Sequence, residues 1–186
     1  MNTPTELTLR THGPQATTAM LDTLTDIWTA AHTGHDDVAD AGFTPDALRR
    51  QITGHTRHDH FTLVTAHPAG EGAPIGFGYG FRCSPAYWLG PTLLSTISSP
   101  VTTVDTLAGL CELAVLPAWQ GRGVGSTIHH ALVDALATDW ASLLAMPGED
   151  RPEQRLYRRL GYHYAGPYQP APDAPVLDLL LLYQGC

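Results

Sequence analysis

The sequence predicts an α/β (α+β) chain in which short strands alternate with amphipathic helices. Three observations carry this: the hydrophobic period switches repeatedly between two and about 3.6 residues, a Pro/Gly turn separates two neighbouring apolar strands, and a later apolar strand runs through a Gly-rich turn into a helix.

Leu7 and Leu9 alternate with polar neighbours before Gly13-Pro14, which reads as a first strand. Met20, Leu21, Leu24, Ile27 and Trp28 then recur at helical spacing, predicting one helix of roughly 15 residues ahead of Gly34. Thr44-Pro45-Asp46 supplies an N-cap and a proline first turn for a second helix through Leu48 and Ile52. Strands at Phe61 to Ala66 and Ile75 to Phe81 flank the turn from Pro68 to Pro74 and form an expected antiparallel hairpin. A helix over Tyr87 to Ile97 and a loop over Ser98 to Asp105 follow. Leu110 to Leu116 is a buried strand ending at Pro117; Val124, Ile128, Leu132, Ala135 and Leu136 mark one face of the next helix. Leu143 to Met146 is a strand, Pro152 opens a helix that Gly161 stops, and Val176 to Tyr183 is the last strand.

Composition narrows the chemistry. The chain has 186 residues, a length that favours one domain over 1–186. Its ten basic residues are all Arg against 18 acids, a net charge of −8. Without Lys there is no P-loop lysine, no Schiff-base lysine and no Ser-Lys pair. Without a basic stripe, no nucleic-acid partner is expected. Cys83, Cys111 and Cys186 are odd in number and far apart, as in a reduced cytoplasmic protein. The polar start lacks the apolar core of a signal peptide, and the apolar run Leu179 to Tyr183 is far too short to span a membrane, so no membrane partner is expected.

The informative stretch is Glu112 to Ser126, ELAVLPAWQGRGVGS. Its glycines let backbone N–H groups converge, and the helix behind them presents its positive end; together these suit a phosphate or pyrophosphate. A dinucleotide fingerprint needs glycine where Ser126 stands, and a P-loop needs the missing Lys.

The stretch resembles the GNAT superfamily of acyl-CoA-dependent N-acyltransferases, whose signature Q/R-x-x-G-x-G/A follows a strand ending in V-x-P. Val115-Leu116-Pro117 and Gln120, Gly123 and Gly125 match it position by position, and Gln154 to Tyr162 matches the family's late helix around L-Y-x-x-L-G. The resemblance covers Ile75 to Tyr162 and implies a mixed, mostly antiparallel central sheet flanked by helices. It implies acetyl-CoA as co-substrate and no metal. The strand at Leu113, Ala114 and Val115 would splay from its neighbour to pair with the pantetheine arm. Gln120, Gly121, Arg122, Gly123, Val124, Gly125 and Ser126 would hold the pyrophosphate.

Two proton transfers need carriers. A lysine-like amine of pKa near 10.4 is free in only about one molecule in 2,500 at neutral pH, so a base is useful. Glu112 occupies the family's strand-glutamate position and is the expected base. The leaving thiolate gains from a proton, and Tyr157 occupies the general-acid position. Asp150 stands seven residues before it, where the family often has a cofactor-contacting Asn, and an anion there cannot donate as an amide does. Glu153 replaces a usual small residue.

For the acceptor, the family uses its first two helices and the segment between its third and fourth strands. Asp22 to Asp46 holds six acids and no Arg, an entrance that would steer a cationic amine, with Asp36 and Asp37 at its centre. Trp28, Tyr79, Tyr87, Trp88 and Trp119 are the aromatics available to wall a substrate. His55, His58 and His60, and His32 with His35, read as polar surface replacing Lys, not as metal ligands. The expected reaction is acetyl transfer to a small-molecule primary amine, with an amino-sugar antibiotic as one candidate acceptor. Acetylation of a protein or peptide N-terminus and a catalytically silent acyl-CoA-binding module are the alternatives. A monomer or homodimer fits either.

Overall fold

The computed structural model describes residues 6–34, 37, 41–69, 72–169 and 172–185. Seven strands form one sheet in the order β1-β2-β3-β4-β5-β7-β6: β1 Leu7–His12, β2 Thr62–Pro68, β3 Gly76–Cys83, β4 Leu107–Val115, β5 Trp140–Ala145, β6 His163–Tyr168 and β7 Leu177–Tyr183. Every described neighbouring pair is antiparallel except β4 with β5, which gives the mixed, mostly antiparallel sheet the resemblance implied.

Six helices are described: α1 Pro14–Ala19, α2 Leu21–Ala31, α3 Pro45–His55, α4 Pro85–Thr96, α5 Val124–Leu136 and α6 Pro152–Arg159. The expected single helix before Gly34 is two, broken at Met20, whose φ of −102° and ψ of 3° leave the helical basin. In the first of them the Thr17 and Thr18 hydroxyls bond back to the carbonyls of Gly13 and Pro14, a habit that bends helices. Thr44 caps α3 as expected, its Oγ1 accepting from the Ala47 N–H at 3.2 Å. Inside α4, Gly90 (φ 71°, ψ 167°) breaks the helical path just before Pro91. The expected loop at Ser98 to Asp105 contains a 3-10 turn at Pro100–Thr103, and β4 and β5 each begin three residues earlier than their patterns suggested. Strand β6 has no sequence expectation behind it. It carries Gly166 and Pro167, turn-formers that a sheet tolerates at an edge, where this strand lies.

The two sheet faces are packed differently, and β3 shows why. Its sequence alternates Gly76, Gly78 and Gly80 with Phe77, Tyr79 and Phe81. The aromatic side packs under α2 and α3 with Leu24, Ile27, Leu48 and Ile52. The glycine side lets α5 lie close: a Cβ on Gly78 would meet Ile128 Cγ2 at 3.0 Å, and one on Gly76 would meet Ile128 Cδ1 at 3.1 Å. Thus α5 buries Val124, Ile128, Leu132, Val133 and Leu136 on the second face.

Candidate active site

The parallel pair β4–β5 is registered only from Ala108↔Ala141 to Leu110↔Leu143. Beyond Leu110 the strands part, while β4 stays paired with β3 through Val115↔Gly76. One extra residue on β4, Cys111, lies at the irregularity where Tyr79 pairs with Glu112 but Gly80 pairs with Leu110. A cavity of about 710 Å³ opens in the gap, lined by Leu110 to Val115 of β4 and Leu144 to Met146 at the end of β5.

One end of this cavity is the turn into α5. Gly121 and Gly123 have φ of 71° and 84°, a region that admits glycine at little cost. Gln120 Nε2 donates to the Val115 carbonyl at 2.9 Å and ties the turn to the strand. The first N–H groups of α5 have no intrahelical acceptor, so Gly123, Gly125 and Ser126 bring donors and a helix N-terminus to the wall. Gly125 touches Leu156 of α6, a Cβ there standing 3.5 Å from its Cδ2. Arg155 and Arg159 of the α6 segment also line the cavity and bring cations to it, as does Arg151, whose guanidinium is shared with Asp37 and Glu153. Glycine cradle, helix end and cations fit the pyrophosphate of an acyl-CoA.

Glu112 lines the cavity from β4. Trp28 Nε1 donates to its Oε2 at 3.0 Å, and the Leu113 N–H donates to its Oε1 at 3.2 Å. Burial raises the carboxyl above its ordinary value, against the opposing pull of nearby His32, the Leu113 N–H and the Trp28 indole. Tyr157 of α6 lines the same cavity, and its phenol is also raised, by burial first and by the charges of Glu112 and Glu153 second. It therefore keeps its proton at neutral pH. A second cavity of about 60 Å³ is bordered by Glu112, Tyr157 and His129. His129 Nε2 lies 2.9 Å from the Tyr162 hydroxyl, and its Nδ1 is the buried side-chain atom without a partner among the described residues. Burial, with His130 beside it, lowers His129 to about 4.

Of the residues expected at the cofactor, Leu113, Ala114, Val115, Gln120, Gly121, Gly123, Gly125 and Ser126 line the cavity, and Arg122, Val124 and Asp150 do not. Arg122 lies over the Trp119 ring, 5.5 Å from its centroid. Val124 is buried in the core as the first inward residue of α5. At Asp150 the backbone carbonyl, not the carboxylate, is engaged, accepting from Arg155 Nη1.

Of the residues expected at the acceptor, Trp28 and Trp88 line the cavity. Tyr79 does not: it is fully buried on the aromatic side of β3, with its hydroxyl 3.2 Å from His55 Nδ1. Asp37 pairs with Arg151 at 2.6 Å, and Asp36 lies outside the described residues. Tyr87 is exposed, and its hydroxyl meets His58. His55 and His32, read from sequence as surface, are in the cavity wall with Phe43 and Gln51. Nothing in their spacing distinguishes them from surface residues, because α2, the segment after it and α3 converge only in the fold.

A family model described as an acetyltransferase (GNAT) domain matches residues 58–164. A GCN5-like protein acetyltransferase of Mycobacterium tuberculosis is 32% identical over 125 residues, 58% of this chain and 60% of that protein. Phosphinothricin N-acetyltransferase of Streptomyces coelicolor is 28% identical over 134 residues, 68% of this chain and 66% of that protein. The chain thus spans under two thirds of either relative's length. Among solved structures, Arabidopsis thaliana NAA60 in complex with acetyl-CoA superposes with a TM-score of 0.62 at 16% identity, covering 96% of this chain and 98% of that one. An aminoglycoside N-acetyltransferase in complex with CoA gives 0.59 at 15% identity, covering 91% and 95%. The parted β4 and β5, the glycine turn and the family match agree: the chain belongs to the GNAT family of acetyltransferases.

Proposed function

We propose that the protein transfers the acetyl group of acetyl-CoA to a primary amine of a small molecule, with Glu112 as general base and Tyr157 as general acid. The observation that carries this reading is that both side chains line one cavity, where β4 leaves β5. Glu112 takes a proton from the amine, directly or through a water, as the new C–N bond forms. A base raised above the usual carboxylate range is better matched to this task near neutral pH. Tyr157 holds its phenolic proton until the C–S bond breaks and gives it to the departing sulfur.

Direct attack is favoured over an acyl-cysteine route. Cys111 lines the cavity, but burial, with Cys83 and Glu112 nearby, pushes its thiol well up, so it is a poor nucleophile. The names of the relatives cover both small-molecule and protein acceptors. An amino-sugar antibiotic, a resistance role, action in the cytoplasm and N-terminal peptides all stand as finer readings of the same chemistry. No described helix is long and apolar enough to cross a membrane.

The test is calorimetry with acetyl-CoA, then CoA release across free amines, aminoglycosides and peptides. Binding with release on a small amine is expected. No affinity for acetyl-CoA removes the proposal, and binding without release across the panel favours a silent acyl-CoA-binding module.

A further inference from the structure

A turnover that uses a base and an acid leaves both in the wrong protonation state. Once Glu112 has taken a proton from the amine and Tyr157 has given one to the departing sulfur, the pair stands as carboxylic acid and phenolate. A proton must pass from the first to the second before the next cycle. Burial disfavours the phenolate, and the charges of Glu112 and Glu153 add to this, so the return runs downhill. The large cavity is a poor route for it while the amide and CoA still fill that space.

The second cavity, of about 60 Å³, offers another route. Glu112 and Tyr157 line both cavities, whereas His129 of α5, Leu132 and Leu143 border the small one alone. At a liquid volume of about 30 Å³ per water, the small cavity has room for about two. Each oxygen of the Glu112 carboxylate has one protein donor, the Trp28 indole at 3.0 Å or the Leu113 N–H at 3.2 Å, and keeps a lone pair for another. His129 is 1% exposed, and its imidazole is neutral near pH 7, since burial, with His130 beside it, lowers it to about 4. Its Nε2 meets the Tyr162 hydroxyl at 2.9 Å. Burial keeps the proton on that hydroxyl, and Nε2 is its acceptor, which assigns the imidazole N–H to Nδ1. The Nδ1–H is then a buried donor without a partner among the described residues, on a ring that borders the cavity shared by both proton carriers. Cys111, the other titratable group on this cavity, keeps its thiol proton, because burial, with Cys83 and Glu112 nearby, raises it.

We infer, on the basis of the transferase reading above, that the small cavity is a water site through which the proton taken up by Glu112 returns to Tyr157, and that His129 is the residue that positions the water. Nδ1–H is given to the water oxygen, which leaves that oxygen one lone pair for the Glu112 proton and a hydrogen to give to the Tyr157 oxygen. One O–H bond forms on the water as another breaks. Glu112 ends as carboxylate, Tyr157 as phenol and the water unchanged, with no proton exchanged with solvent. His129 itself neither gains nor loses a proton in this step.

Stopped-flow kinetics on the full chain near neutral pH tests this, with saturating acetyl-CoA and with 2-phenylethylamine, kanamycin and a tripeptide as amine probes. CoA release is followed together with the near-ultraviolet absorbance of tyrosinate. In the wild-type protein no tyrosinate builds up. In His129→Phe the first turnover keeps close to its wild-type rate, tyrosinate then accumulates, and steady-state kcat falls by about 10²-fold, the low end of what a proton carrier supplies. A purely structural role would slow the first turnover as well and leave no tyrosinate. That result, or an unchanged steady state, overturns the inference and leaves the transferase reading intact. The same signature in His32→Gln but not in His129→Phe also overturns it, since His32 acts on Glu112 from the end of α2. Should His129→Phe fail to fold, Leu143→Phe fills the small cavity and leaves the imidazole in place. The burst and the tyrosinate are expected there too, and their absence counts against the water path. No CoA release by the wild-type protein with any of the probes removes the transferase reading and the proton return with it.

Discussion

At one end of the cavity the wall comes from one local segment, Leu113, Ala114 and Val115 with Gln120, Gly121, Gly123, Gly125 and Ser126, whose main tools are backbone N–H groups, two glycines at positive φ and a helix end. At the other end it is assembled from single side chains on separate elements, Trp28 on α2, Gln51 and His55 on α3 and Trp88 on α4. A diphosphate can be held by main chain at fixed spacing, so the first end admits few sequences. An amine acceptor is recognised by side-chain shape, so the second end can be rebuilt without disturbing the first. Glu112 and Tyr157 stand where the two meet.

The sharpest way to break this division is at the meeting point. Tyr157→Phe and Glu112→Gln are each expected to lower kcat by about 10² to 10⁴ while leaving acetyl-CoA affinity within a few-fold, as calorimetry and CoA release would show. Because the Glu112 carboxyl is raised, its contribution to the acid limb of kcat/KM falls at higher pH than for an ordinary carboxylate and is lost in Glu112→Gln, which keeps only the limb set by the amine's own ionisation. A parallel fall in acetyl-CoA affinity would mean that these residues belong to the cofactor end.

Next in size is a dependence of stability on pH that passes through the core beneath both ends. His129 titrates near 4 when folded and near 6.5 when unfolded. The unfolded chain therefore takes up the proton first as pH falls. Stability is complete above about 6.5 and is lost down to about 4, by roughly 3 kcal/mol from this group. His55 acts in the same direction, less strongly because it is only half-buried. Denaturant titrations at pH 7.5 and 4.5 should show the difference shrinking in His129→Phe.

Two glycine substitutions separate the ends directly. Gly109→Ala drives a methyl into Trp88 and is expected to cost about 1–3 kcal/mol of stability and to raise the acceptor KM, with acetyl-CoA affinity retained. Gly123→Ala strains a residue at φ 84° by about 1 kcal/mol and should weaken acetyl-CoA with the acceptor KM retained. The smallest expected effect is that of Arg122→Ala. Its side chain lies over Trp119, outside the cavity wall, so acetyl-CoA affinity should change less than about threefold.

The asymmetry also explains what could be read from the residues alone. The helix Val124–Leu136 was legible, because its glycine turn and the apolar period of Val124, Ile128, Leu132 and Leu136 are local signals. The strand β6 was not, since Gly166 and Pro167 argue against a strand until its edge position is known. His32 and His55 looked like surface, and Tyr79 like a wall. Which side of β3 Tyr79 occupies, and that the end of α2 at His32 and the last turn of α3 at His55 meet one cavity, are set by register and packing, not by composition.

By itself, then, the sequence pointed to the glycine turn and, through its resemblance to a family, to Glu112 and Tyr157 as the proposed proton carriers, because these signals lie within a few residues of one another along the chain. It also determined that no lysine can serve any site here. Only the tertiary structure decided that Asp22 and Asp37 are spent in ion pairs with Arg49 and Arg151, and that Trp28, His32, His55 and Trp88 line one cavity with Glu112. Those are outcomes of long-range packing, where residues 28, 55, 88 and 112 become neighbours only after β4 has paired with β3 and parted from β5.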